Sequence, residues 1–72
     1  MQTRILSTAE LGQAIREARK RQGLTQEKFA GMFSSFSREF LSDLENGKPT
    51  VEFEKALKVA TLLGLNIYVG PR

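Results

Sequence analysis

The side chains of this 72-residue sequence that can take part in chemistry are hydrogen-bonding groups rather than nucleophiles or metal ligands. The chain contains no histidine and no cysteine. A serine or threonine nucleophile would therefore lack its usual base, and a Cys/His metal site cannot form. The six glycines are scattered along the chain and form no phosphate-cradling loop. We therefore expect neither an enzyme nor a bound cofactor or metal.

A helix is predicted to begin after its N-cap, Ser37, and to run to Asn46. This helix carries the densest group of polar side chains in the sequence. At about 100° per residue, the apolar side chains fall on one arc of this helix and the polar side chains on the opposite arc. Its apolar arc holds Phe40, Leu41 and Leu44. A single amphipathic helix of this kind is most often an ordinary solvated face, so its function depends on the neighbouring elements.

Several of these polar side chains suit the edges of DNA bases. Arginine can donate two hydrogen bonds to O6 and N7 of guanine, and a carboxylate can accept one from the amino group of cytosine. The predicted base-reading residues are Ser37, Arg38, Glu39, Ser42 and Asp43. Glu39 and Asp43 have two alternative roles. They could repel DNA sequences other than the preferred one, or they could hold Arg38 in position. For Phe40, which is mostly a core residue, an alternative is an edge contact with a thymine methyl.

A second predicted helix precedes this one and would support it. Thr25 is its predicted N-cap, and its apolar face consists of Phe29, Ala30 and Phe33. The serines at 34 and 35 interrupt the helix, and Phe36 is predicted to be a buried plug in the turn. Gly47 ends the pair, which spans about residues 25–47. Two short helices joined by a tight turn form a geometry that enters the DNA major groove.

Two further helices are predicted around this pair. Ser7 and Glu10 fit a capping box, in which each side chain satisfies a backbone donor of the other. The helix that follows has a buried stripe and ends near residues 22–23, and that stripe holds Leu11, Ala14, Ile15 and Ala18. The last predicted helix ends at Gly64. Its apolar stripe contains Val51, Phe53, Ala56, Leu57, Ala60 and Leu63.

The C-terminal residues alternate between apolar and polar side chains, which indicates a β-strand at about residues 65–69. An isolated strand would leave its backbone groups unpaired, so we expect it to pair with the same strand of a second copy. The predicted dimer strand contains Leu65, Ile67, Tyr68 and Val69. The alternative is an irregular apolar tail that folds back over the helices.

The segments LTQEKFA and SREFLSDLENGKP resemble the helix-turn-helix of lambda-repressor-like (Xre/Cro) regulators, and the resemblance covers about residues 11–65. It implies an all-α, four-helix DNA-binding domain. Family members usually place a glycine in the turn. This chain instead has Ser34-Ser35-Phe36-Ser37, which is one residue longer. The resemblance therefore does not determine the angle between the two helices.

The segment before the first helix, the GKPTV approach to the last helix and the terminal strand pattern are similar to HipB-type antitoxins. This resemblance implies a homodimer, joined by its C-terminal strands, that binds double-stranded operator DNA and represses its own operon. It also implies a HipA-like kinase toxin as a possible partner. A rival hypothesis is a protein-interaction adaptor that uses the fold to bind a toxin or a second copy. An RNA-binding role is weaker, because the aromatic residues suit a core or interface.

The same resemblance assigns roles to individual residues. Arg19 would form an ion pair with Glu45. This pair would attach the first helix to the end of the helix that follows Ser37, which is the recognition helix of the family. The predicted phosphate contacts are Gln26, Lys28, Asn46 and Lys48. Additional cations near the end of the first helix, namely Arg16, Lys20 and Arg21, either contact phosphates or complement the helix dipole.

Length and composition agree with one small domain over residues 1–72. The net charge of +3 is mild and consistent with a polyanionic partner. No apolar run approaches the roughly 20 residues of a membrane span, and no signal peptide is recognisable. We therefore expect a cytoplasmic protein.

Overall fold

The computed structural model describes residues 3–71, and four α-helices lie in this range. They are α1 (Thr8–Arg21), α2 (Gln26–Met32), α3 (Arg38–Glu45) and α4 (Phe53–Leu62). The predicted four-helix architecture is confirmed for these residues. Met1, Gln2 and Arg72 belong to the predicted domain but lie outside the described residues. None of the described helices combines the length and the apolar character that crossing a membrane requires.

The first three helices begin with the predicted capping residues. In each case a side-chain oxygen accepts a hydrogen bond of 3.0–3.1 Å from the N–H three positions on, and the caps are Ser7, Thr25 and Ser37. The capping box of α1 differs from the prediction in its second half. The carboxylate of Glu10 accepts from the N–H of Leu6 at 2.7 Å and from the hydroxyl of Ser7 at 3.2 Å. The Glu10 carboxylate therefore accepts from the N–H of the residue before the N-cap, and not from the N–H of Ser7 itself.

All four helices and the α2–α3 turn contribute to one hydrophobic core. The largest side chains buried to less than 2% exposure are Phe29, Ile15, Leu41, Leu44 and Val59. Phe36 in the turn is also buried, at 5% exposure, as the sequence predicts. The prediction for Phe53 is wrong, because this side chain is 63% exposed. It is the first residue of α4, and helical side chains point back toward the N-terminus, so it projects beyond the packed layer.

The start of α1 packs against the end of α3 with almost no space between their backbones. At Gly12 a Cβ atom would overlap the carbonyl oxygen of Leu44. Gly47, after α3, has φ of 77°, and a Cβ there would lie 2.6 Å from the Cα of Ala9. The hydroxyl of Thr8 donates to the carbonyl of Gly47 at 2.8 Å. Glycine at these two positions therefore lets α1 fix the C-terminal end of α3.

Residues 65–70 follow α4 without regular secondary structure, and residues 3–71 contain no β-strand. Leu65 packs against the core, and its N–H donates to the carbonyl of Ala60 at 2.9 Å. The next apolar residues are exposed, with Ile67 at 48%, Tyr68 at 77% and Val69 at 99%. The tail therefore folds back only as far as Leu65. The strand paired across a dimer stays a prediction, because a strand that pairs only with a second copy has no partner within one chain.

Candidate nucleic-acid interface

The predicted base-reading residues lie together on the accessible side of α3 and its N-cap, whereas Glu45, the last residue of the helix, is buried. Ser37, Arg38 and Glu39 are exposed, and Ser42 and Asp43 are partly exposed. Leu41 and Leu44 are buried on the opposite side. The structure thus brings all five predicted base-reading residues to accessible positions on one short helix and its cap. These side chains offer two hydroxyls, one guanidinium and two carboxylates.

A row of aromatic rings fixes the angle between α2 and α3 across the longer turn. The ring centroid of Phe36 lies 6.3 Å from that of Phe29 and 6.1 Å from that of Phe40. The N–H of Phe36 also donates to the carbonyl of Phe33 at 3.2 Å and closes the turn. Phe36 therefore acts as the predicted plug, and its burial joins the two helices without a glycine in the turn.

A buried ion pair connects the end of α1 to the end of α3. The Nε and Nη2 atoms of Arg19 donate to the two carboxylate oxygens of Glu45 at 2.7 and 2.8 Å. The side chains are 8% and 2% exposed, respectively. A third donor of Arg19, Nη1, contacts the carbonyl of Leu24 at 2.7 Å. The hydrogen bonds to Glu45 raise the pKa of Arg19, although burial acts in the opposite direction. The arginine therefore stays charged and links two helices and the α1–α2 turn.

Gln26, a predicted phosphate contact, belongs to the same network. Its Nε2 donates to Oε1 of Glu45 at 3.2 Å. Because an amide nitrogen carries two N–H donors, one donor remains for another partner. Gln26 also lines an open cleft of about 370 Å³ with Lys20 and Arg38, among other residues. The cleft lies where the end of α1, the start of α2 and the start of α3 meet.

The other predicted phosphate contacts are on the surface. Lys28 on α2 and Asn46 and Lys48 after α3 are exposed, as are Arg16, Lys20 and Arg21 of α1. The Nζ atom of Lys48 lies 3.4 Å from Oδ2 of Asp43, and both side chains are about half exposed. The contact joins a predicted phosphate contact to a predicted base-reading residue.

The structure also brings one residue to this surface that sequence reasoning missed. Oε1 of Glu27, in the first turn of α2, lies 3.8 Å from Nε of Arg38, at the start of α3. In sequence, Glu27 is an unremarkable acid eleven positions before Arg38. Only the tight turn brings the starts of the two helices together, so no local pattern could have identified this contact.

Comparisons with known proteins agree with this geometry. Residues 15–69 match the family model described as helix-turn-helix. The chain is 40% identical over 67 residues to y4mF, an uncharacterised HTH-type transcriptional regulator of Sinorhizobium fredii. The match covers 93% of this chain and 87% of the relative.

Two solved structures have the same fold. One is a complex of HipB with an O4 20mer, with a TM-score of 0.83 and coverage of 97% of both chains. The other is a complex of a HipB variant with an O2 20mer, with a TM-score of 0.84, covering 99% of this chain and 97% of the other. Both HipB chains are 21% identical to this one.

A supporting helix, a closed turn and an exposed polar helix on a four-helix core define a helix-turn-helix protein. The match of 55 residues of this chain to the family model, together with the 40% identical relative, shows the family. The chain belongs to the helix-turn-helix family of the lambda-repressor-like (Xre) type. This family consists of DNA-binding regulators, which are not enzymes.

Proposed function

We propose that this chain is a sequence-specific DNA-binding transcriptional repressor that places α3 in the major groove. The observation that carries the proposal is the accessible polar surface of α3, fixed to α1 by the buried Arg19–Glu45 pair. Recognition of base edges requires side chains on a rigid element, and this helix is fixed at both ends. The family match and the HipB–DNA complexes of the same fold support the same conclusion.

In this proposal the polar residues divide into two groups. Ser37, Arg38, Glu39, Ser42 and Asp43 contact base edges, and Arg38 donates to O6 and N7 of a guanine. The phosphate contacts come from Gln26, Lys28, Asn46 and Lys48, which set the register of the protein on the duplex without reading sequence.

A dimer would place two copies of α3 on an inverted-repeat operator, with half-sites about 34 Å apart. The exposed apolar residues Ile67, Tyr68 and Val69 support pairing of the C-terminal tails. Replacing Val69 with lysine should convert the dimer to a monomer, measured by analytical ultracentrifugation. Asn66→Lys, which adds the same charge on the other face of the predicted strand, is the matched control. An unchanged mass for Val69→Lys would contradict pairing through the tail.

The primary test is a mobility-shift titration with the duplex upstream of the chain's own gene, compared with a random duplex at two salt concentrations. We expect preferential binding that weakens with salt, because each neutralised phosphate contributes about 0.9 to the log-log slope. Arg38→Ala should weaken operator binding by about 1–3 kcal/mol and relax preference at one position, whereas Lys48→Ala should weaken binding to all sequences alike. Equal losses on both duplexes for both variants would contradict this division.

We also propose that the repressor is the HipB-like antitoxin of a toxin–antitoxin operon, with a HipA-like kinase toxin as its partner. Support comes from the similarity of fold to HipB over nearly the whole chain. Co-expression with the product of the adjacent gene, followed by co-purification, tests this part. The alternative function is an adaptor that binds a toxin or a second copy and has little affinity for DNA. Absence of any preference in the mobility shift would favour the adaptor.

A further inference from the structure

The contact between Glu27 and Arg38 joins the first turn of the supporting helix to the first residue of the recognition helix. Both side chains are mostly exposed, Glu27 at 79% and Arg38 at 64%. Exposed ion pairs contribute little to stability because water screens them. The pair therefore adds little to the stability of the domain, and what distinguishes it is its position beside a predicted base-reading residue at the start of α3.

The geometry of the pair leaves the recognition edge of Arg38 free. Oε1 of Glu27 lies on the Nε side of the guanidinium at 3.8 Å, which is an ion-pair contact and not a hydrogen bond. None of the three guanidinium nitrogens of Arg38 donates a hydrogen bond to a residue between 3 and 71, so Nη1 and Nη2 are available to DNA. The guanidinium is planar, so attraction between the Glu27 carboxylate and the Nε edge favours orientations in which the terminal nitrogens point away from Glu27. Two adjacent donors in one plane are what O6 and N7 of guanine accept.

Other acids near Arg38 do not take this position. The carboxylate of Asp43 lies within 3.4 Å of Lys48, and Glu39 forms no ion pair with any other described residue. Residues 25–48, which comprise the helix-turn-helix and Lys48 directly after it, contain three lysines and arginines against four aspartates and glutamates. Arg38 thus lies in a segment without excess positive charge, and Glu27 is the acid that faces it.

We propose that Glu27 is a positioning residue that determines sequence specificity by orienting Arg38 toward guanine. The proposal rests on the proposed function. With Glu27 present, the negative charge beside Arg38 biases the guanidinium away from phosphate oxygens and toward a base edge. Without it, Arg38 is free to contact phosphate oxygens, which carry no sequence information. Removing the carboxylate therefore increases the affinity for random DNA more than the affinity for the operator.

The test is the Glu27→Gln variant, which preserves the size of the side chain and removes its charge. Dissociation constants are measured for the upstream duplex and for a random duplex across a series of salt concentrations. We expect the ratio of operator to random affinity to decrease about three- to tenfold, which is part of the discrimination available to one bidentate contact. The salt slope on random DNA should steepen by about 0.9, the contribution of one additional phosphate contact. If Glu27 had only a structural role, its substitution would change neither the ratio of operator to random affinity nor the salt slope on random DNA.

Two controls make the result specific to Arg38. Glu17→Gln removes the same charge from an exposed position on α1 and should alter both affinities by the same factor. In an Arg38→Ala background, Glu27→Gln should leave the affinity ratio unchanged, because the residue that Glu27 orients is absent.

An unchanged ratio in Glu27→Gln, or an equal decrease in the Arg38→Ala background, would overturn the inference while leaving the proposed function intact. Absence of operator preference in the unsubstituted protein would overturn both.

Discussion

Replacing Glu45 with alanine would leave Arg19 buried without its ion-pair partner. Arg19 is 8% exposed and directs two of its donors at the Glu45 carboxylate. Removing one member of a buried pair costs about 3–5 kcal/mol, because the remaining charge is neither solvated nor neutralised. A 72-residue domain has a free energy of unfolding of about 4–11 kcal/mol. We therefore expect Glu45→Ala to remove a large part of the stability of this domain.

Thermal unfolding followed by circular dichroism, together with urea titration, measures this loss. In a domain of this size each kcal/mol corresponds to about 4–8 °C, so the Tm should decrease by about 12–40 °C. Because the pKa of Arg19 is raised, its charged form persists as the pH increases and is lost only at strongly alkaline pH. The difference between Glu45→Ala and the unsubstituted protein should therefore be the same at neutral and at mildly alkaline pH.

Two comparisons show whether burial is the cause. Asp43→Ala breaks the half-exposed contact with Lys48 and should cost less than about 1 kcal/mol. The double variant Arg19→Met with Glu45→Leu removes both charges and should recover most of the lost stability, because apolar residues can replace a buried pair. The reasoning would be refuted if Glu45→Ala cost no more than Asp43→Ala, or if the double variant were no more stable than the single one.

Three further predictions concern the helices that position α3. Gly12→Ala should destabilise the domain by about 1–3 kcal/mol in urea titration, because the new methyl group overlaps the carbonyl of Leu44. Gly31→Ala, on α2 with open space around it, should instead stabilise the domain by about 0.5–1 kcal/mol through helix propensity, and a loss of stability there would contradict this explanation. Ser37→Ala should cost about 1 kcal/mol through loss of the N-cap, whereas Ser37→Asp should keep the cap and the Tm but weaken DNA binding in a mobility shift. Unchanged DNA affinity for Ser37→Asp would place this residue outside the interface.

Local sequence patterns were sufficient for the helices and their ends. The three capping hydroxyls, the glycine after α3 and the alternation of buried and exposed residues in α3 each involve residues within a few positions of one another. These interactions form within a single helical turn, so the type and spacing of residues predict them. The same patterns overestimated the apolar stripe of α4, since Phe53 has helical spacing but lies at an end where no neighbouring helix covers it.

The candidate site required more than local patterns. The sequence alone determined which polar residues share one side of α3, because helical geometry follows from residue spacing. Only the tertiary structure decided which residues across the turn face them. Glu27 meets Arg38, and Gln26 donates to Glu45, because α2, α3 and α1 pack at angles fixed by Phe36 and Gly12. Such contacts depend on the packing of distant side chains into one core, and the spacing of residues along the chain does not encode these distances.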